Sequence, residues 1–166
     1  SAHKQTIAYL HQGFNYGDVG AVNNRIPNYL EYRNQNLLAI ICGAKGFLQF
    51  NRSVARYPEL SIGMPHLTKE LAYLGPVVLA PQASVTPVSS SKAMKMLLKE
   101  LGGDWYLLAC NAAMEPCDAT ITIPGASQRA KRLNVISEGR TVKIKKDVFT
   151  DHFDTFEAHV YTTSKK

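Results

Sequence analysis

Four side chains near the end of this 166-residue chain, His152, Asp154, Glu157 and His159, have the composition of a metal site. In the run VFTDHFDTFEAHVY, however, strand alternation puts most of them on exposed strand and turn positions, so a solvated edge is expected and no metal. His11 has the chemistry of a general acid, but a lone histidine at a strand end is more often a hydrogen-bonded structural group. Glu31 and Arg33 fall on a helix, away from any strand mouth, and are expected to organise packing. The cysteines Cys42, Cys110 and Cys117 lack metal-ligand spacing. Cys42 closes the apolar run LLAIIC and reads as a buried small hydrophobe. Cys110 and Cys117 flank a turn-like segment and could reach each other if their strands are neighbours; free thiols are the plainer expectation. No cofactor is expected.

The net charge of +6 is moderate, and its location is informative. Arg129, Lys131, Arg132, Arg140, Lys143, Lys145 and Lys146 gather late in the chain. In TVKIKKDVF, Lys143 and Lys145 alternate with Val142 and Ile144, the pattern of a half-buried strand with its cations outward. Base stacking needs aromatic side chains among the cations, and the run has none, so a solvated sheet face is expected and no nucleic acid. With 45% hydrophobic and 19% charged residues the chain reads as globular, one ordinary domain or two small ones. No apolar run approaches the roughly 20 residues of a membrane span. The start, Ser1-Ala2-His3-Lys4, carries neither an initiator Met nor a signal-peptide core. It fits an expression scar, a processed terminus or an internal fragment.

The elements fall into two textures. Lys4–Gln12 (KQTIAYLHQ) is a short run with an apolar centre, as in a buried strand of a parallel sheet. An Asn- and Gly-rich loop leads to Asn28, which can cap a helix. Tyr29, Tyr32 or Arg33, Asn36 or Leu37, and Ile40 or Ile41 keep the spacing of a packed helix face. Gly43 ends it, and strand Gly46–Phe50 follows at once. Pro65–Leu79 holds a second helix with Leu67, Leu71 and Leu74 on one face, broken or ended at Gly75-Pro76. After Pro81 the chain changes character. Gln82–Lys92 is the Ser/Thr/Pro/Val kind of stretch that links domains, and short runs separated by turn residues continue to Thr163. These are Lys95–Lys99, Trp105–Asn111, Ala119–Ile123, Lys131–Val135, Thr141–Ile144 and Ala158–Thr163, and their regular spacing predicts an antiparallel sandwich. By propensity Lys92–Leu101 could be a helix; an early sandwich strand before the Gly102-Gly103 turn suits the rest better. Trp105 opens an apolar strand and is expected in the core. The fold class is therefore α/β followed by all-β, with domains at 1–81 and 82–166.

In this order the residues resemble a known architecture. EYRNQNLLAIICGAKGFLQFNRS resembles the last barrel helix and strand of many glycoside hydrolases, and HLTKELAYLGPVVLAP is similar to the closing helix of such barrels. WYLLACNAAMEPCDATITIPGA and VFTDHFDTFEAHVYTT look like the middle and final strands of the β-domain that follows them. The likeness spans nearly the whole chain and is architectural; no motif in it is diagnostic of a substrate. It implies the last two βα units of a TIM-type (β/α)8 barrel joined to an antiparallel β-sandwich, from a protein acting on glycans. A full barrel needs eight strands and about 250 residues, so the remainder is expected as a separate or cleaved polypeptide, with this chain inactive alone.

The resemblance also implies where chemistry should sit. Glycoside hydrolysis uses two carboxyl groups, placed in barrels at the C-terminal ends of strands. Here the two strands end in His11-Gln12-Gly13-Phe14-Asn15-Tyr16 and Phe50-Asn51-Arg52, without a carboxylate. The catalytic pair is then expected on strands outside this chain. Gln12, Phe14, Asn15, Tyr16, Asn51 and Arg52 remain as candidate walls of a sugar site: the amides to bond hydroxyls, the aromatics to stack, Arg52 at the mouth of the last strand. The alternatives are a non-catalytic carbohydrate-binding module, which would need exposed coplanar aromatics on a sandwich face, of which the sequence offers few beyond Trp105, Tyr106 and Phe149, and a structural or assembly module. An extracellular or periplasmic location follows from the substrate class alone.

Overall fold

The computed structural model describes residues 7–12, 25–50 and 56–165. They fall into two compact units, Ser1–Tyr73 and Leu74–Lys166.

In the first unit, strands β1 (Ile7–Gln12) and β2 (Ala44–Phe50) pair in parallel. Parallel strands need a crossover connection, and here it contains helix α1 (Tyr29–Ile41). Asn28 starts the helix. Its Oδ1 accepts from the Glu31 backbone N–H at 2.9 Å, while the Asn28 N–H donates to the Glu31 carboxylate at 2.9 Å. This reciprocal box satisfies two backbone donors that no helix bond can reach, and Arg25 holds Glu31 from outside at 2.6 Å. At the other end Gly43, at φ +103°, turns the chain directly into β2, a conformation with little cost for glycine. Cys42 is exposed, contrary to its reading as a buried hydrophobe. The helix ends at Ile41, so Cys42 belongs to the cap, where the backbone has already left the buried face.

Helix α2 (Pro58–Leu79) begins seven residues before the expected Pro65 and passes through both Pro65 and Gly75-Pro76. An interior proline costs a helix about 3 kcal/mol or more through its missing N–H and a ring clash. Both prolines lie on the exposed side, as do Ser61 and Ala72 four residues before them, the residues whose carbonyls a proline cannot bond. On the other side Leu60 and Leu67 pack with Tyr32 in a small core joined by Tyr29, Met64 and Leu71. Burial of that face outweighs the prolines. Gly63 is required there: a Cβ would collide with the Tyr29 ring.

The second unit holds nine further elements. They are β3 (Val88–Ser89), β4 (Met94–Leu101), β5 (Asp104–Asn111), β6 (Cys117–Thr122), the short helix α3 (Ala126–Arg129), β7 (Arg132–Val135), β8 (Arg140–Lys143), β9 (Val148–Phe153) and β10 (Ala158–Thr162). One antiparallel sheet has the order β4-β5-β10-β7-β8 and the other β3-β6-β9. Their inner faces share a core: Leu98, Leu107, Leu133, Val135 and Tyr161 from the larger, Ala119, Ile121, Phe149 and Phe153 from the smaller. KAMKMLLKEL is a strand, as expected from the turn after it. Gly102 and Gly103 both have positive φ and close the two-residue hairpin that sets Leu101 opposite Asp104. The stretch read as linker contains β3, and Gln82 bridges to Lys99. Val142 and Ile144 are buried and Lys143 and Lys145 exposed. Among the described residues no helix is long and apolar enough to cross a membrane.

Candidate functional site

Parallel pairing brings the C-terminal ends of β1 and β2 to the same end of the pair, where Gln12 stands opposite Phe50 in register. Gln12 is the last residue of β1. Phe14, Asn15, Tyr16, Asn51 and Arg52 lie outside the described residues. Neither strand, IAYLHQ nor AKGFLQF, contains a carboxylate. Leu10 stands opposite Leu48, and these two side chains are 56% and 62% exposed. All-parallel sheets are normally covered on both faces.

Helices α1 and α2 are held together by a buried ion pair. Arg33 donates from Nε to Glu70 Oε2 at 2.7 Å and from Nη2 to Oε1 at 2.6 Å, with side chains only 10% and 2% exposed. Such a fork joins α1 to α2 in one geometry. The reading of Arg33 as a packing residue stands, and its partner, 37 residues away, carried no local signal. Glu31 likewise serves the cap.

The expected solvated cluster at the chain's end divides. His152 and Asp154 are exposed and Glu157 is half-buried, in keeping with the reading of most of these residues as surface-facing, but His159 is buried. The reason is β10, a strand buried on both faces. His159 Nδ1 lies 2.7 Å from Glu138 Oε1, and Nε2 lies 3.2 Å from the carbonyl of His152. Arg140 donates to Glu138 and Asp151, each at 2.8 Å, and the Tyr161 hydroxyl donates to Asp151 at 2.8 Å. The result is a polar network from β8, β9, β10 and the turn between β7 and β8, which ties the two sheets together. Burial pushes the Tyr161 hydroxyl up, with the Asp151 charge adding to it. Burial also pushes the Glu138 carboxyl up, but its bonds to His159 and Arg140 outweigh that and hold it below the ordinary range.

A carboxyl group depressed in the folded state stabilises the fold above its unfolded pKa and loses that contribution as pH falls through the folded value. Melting temperature is therefore expected to fall as pH drops below the ordinary carboxylate range, and Glu138→Gln should flatten that limb. An unchanged acid limb in the variant would remove Glu138 from the account.

Cys110 is buried, Cys117 is half-buried, and both are free thiols. Trp105 is a core residue; its Nε1–H donates to Glu100 at 3.1 Å and the Arg129 guanidinium lies 4.1 Å above its ring. Tyr106 and Phe149 are buried as well. The three aromatics on which an exposed sugar platform would have depended are thus inside.

No family model and no curated protein matches the chain in sequence. Its fold does match solved structures. The α-amylase of Geobacillus thermoleovorans in complex with acarbose superposes with a TM-score of 0.63 at 12% identity, over 95% of this chain and 38% of that one. An Anoxybacillus α-amylase gives 0.62 at 12% identity, over 95% and 38%. A β-L-arabinopyranosidase of Geobacillus stearothermophilus in complex with arabinose gives 0.58 at 11% identity, over 86% and 32%. The chain thus has the fold of a portion of glycoside hydrolases, and it spans about a third of the length of the structures it matches.

Proposed function

We propose that this chain is the C-terminal part of a glycoside hydrolase-like protein acting on glycans: the last two βα units of a (β/α)8 barrel, followed by a β-sandwich that buttresses it. The observation that carries the reading is the bare parallel pair, in which Leu10 and Leu48 face solvent side by side. A two-stranded sheet is marginal by itself, and neighbouring barrel strands would cover these residues. The match to about a third of each hydrolase supports the same reading. The catalytic carboxylates come from strands outside these 166 residues, since β1 and β2 have none. Gln12, Phe14, Asn15, Tyr16, Asn51 and Arg52 contribute part of the sugar-site wall. An extracellular or periplasmic setting goes with that substrate class.

The test is the intact mass and native size of the material that carries this chain, followed by glycan hydrolysis on the same preparation. Association, covalent or not, with roughly 200 or more further residues and cleavage of a glycan are expected. A cooperatively folding monomer of this chain alone, with Leu10 and Leu48 in solvent, would overturn the barrel assignment.

A further inference from the structure

The second unit carries a surface concavity of about 500 Å³ beside the β7–β8 edge, remote in sequence from the strand ends. Small-ligand clefts run to roughly 300–1,000 Å³. Arg129, Lys131, Arg132 and Lys165 line it, with Asn134 and Thr141 between them, and none of its described lining residues is acidic or aromatic. Arg129 is fixed from below: it lies over Trp105, donates to the Gly103 carbonyl at 2.7 Å and pairs with Glu100 at 3.2 Å. Arg132 Nε donates to Thr141 Oγ1 at 3.0 Å, which leaves its terminal nitrogens available. Among the described residues no carboxylate lies within ion-pair distance of Lys131, Arg132 or Lys165.

The ladder adds a second observation. Arg132 stands directly opposite Lys143 in the β7–β8 pairing, both exposed. Like charges in that position destabilise a sheet, and an anion between them would reverse the sign.

We infer that this concavity binds the acidic groups of a glycan, carboxylate or sulfate, as a subsite apart from the strand-end site. The guanidinium of Arg132 supplies a planar fork for such an oxyanion, Lys131 and Lys165 supply point charges, and Asn134 and Thr141 carry the amide and hydroxyl chemistry that sugar hydroxyls need. A single-stranded nucleic acid is the lesser fit, because bases would find no aromatic side chain to stack on. The inference takes its ligand class from the glycan reading above and its charge preference from the concavity alone.

The experiment measures binding of four probes to the complete protein at low and high salt: an oligogalacturonate, a heparin-derived oligosaccharide, maltoheptaose and an oligodeoxythymidine. At least one acidic oligosaccharide should bind, more weakly at high salt. The carboxylate and sulfate arms tell which group is read. Lys131→Gln combined with Arg132→Gln should weaken that binding by about tenfold, and Lys165→Gln alone by a smaller factor, with the melting temperature of each variant near that of the parent. Unchanged binding in both variants would overturn the inference, as would tighter binding of the oligodeoxythymidine. Maltoheptaose bound or cleaved while both acidic probes stay unbound would overturn it and leave the glycan reading intact. No glycan bound or cleaved at all would overturn both.

Discussion

Glu70→Ala is expected to lower the unfolding free energy of the first unit by about 3–5 kcal/mol, the usual loss when one partner of a buried ion pair is removed. Arg33 would keep its charge in a site only 10% exposed, without the carboxylate that now takes two of its N–H groups at 2.7 and 2.6 Å. The loss belongs to the buried guanidinium deprived of that carboxylate more than to the contact itself. Replacing both partners, Arg33→Met with Glu70→Leu, should therefore recover most of it, since apolar pairs of similar volume often match or exceed a buried ion pair. Urea unfolding of the complete protein and of both variants reads the difference. A loss below about 1 kcal/mol in Glu70→Ala, the range of solvated surface pairs, would mean that water reaches the pair. Such a result would remove the clamp from the account of how α1 and α2 are held.

Tyr161 offers the second large effect, because two physical contributions separate there. Its ring is 1% exposed in the shared core and lies 4.9 Å from Phe149 of the facing sheet. Its hydroxyl donates to Asp151 at 2.8 Å. Tyr161→Phe keeps the ring and loses the bond to a charged acceptor, for an expected cost of about 1.5–3 kcal/mol. Tyr161→Ala also opens a cavity and should cost about 3–5 kcal/mol, as for other large aromatics. Differential scanning calorimetry of the two variants orders them. Equal losses would mean that the hydroxyl bond carries the whole effect and ring packing adds nothing, whereas a loss near zero in Tyr161→Phe would mean that packing carries it and the bond to Asp151 contributes nothing net. Arg140 remains on Asp151 in both variants, so neither isolates that ion pair.

Much of the fold was legible because its signals are local. Asn28 with Glu31 three residues on, Gly43 after the last helical turn, and Gly102-Gly103 between two strands each specify a backbone turn through atoms a few residues apart. Alternation in TVKIKK put Val142 and Ile144 inward and Lys143 and Lys145 outward. The hidden parts depend on residues far apart in the chain. α2 looked interrupted at Pro65 and Pro76 because propensity is a property of the segment, whereas the burial of Leu60 and Leu67 with Tyr32 that outweighs it is not.

The candidate site divides in the same way. Strand order and the lack of a carboxylate in β1 and β2 could be read directly, while Leu10 opposite Leu48 needed the register. The basic residues of the late run could be counted but not placed, because the concavity forms only where α3, β7, β8 and the residues after β10 meet. β10 itself, last in sequence, inserts between β5 and β7, and that insertion buries His159 and brings Tyr161 to Asp151. By itself the sequence determined the type of most elements, the caps and turns, and which face of most strands is apolar. The tertiary structure alone decided which cations share a surface, which carboxylates are buried and paired, and how far α2 extends, because those outcomes come from burial and pairing between segments that no local pattern brings together.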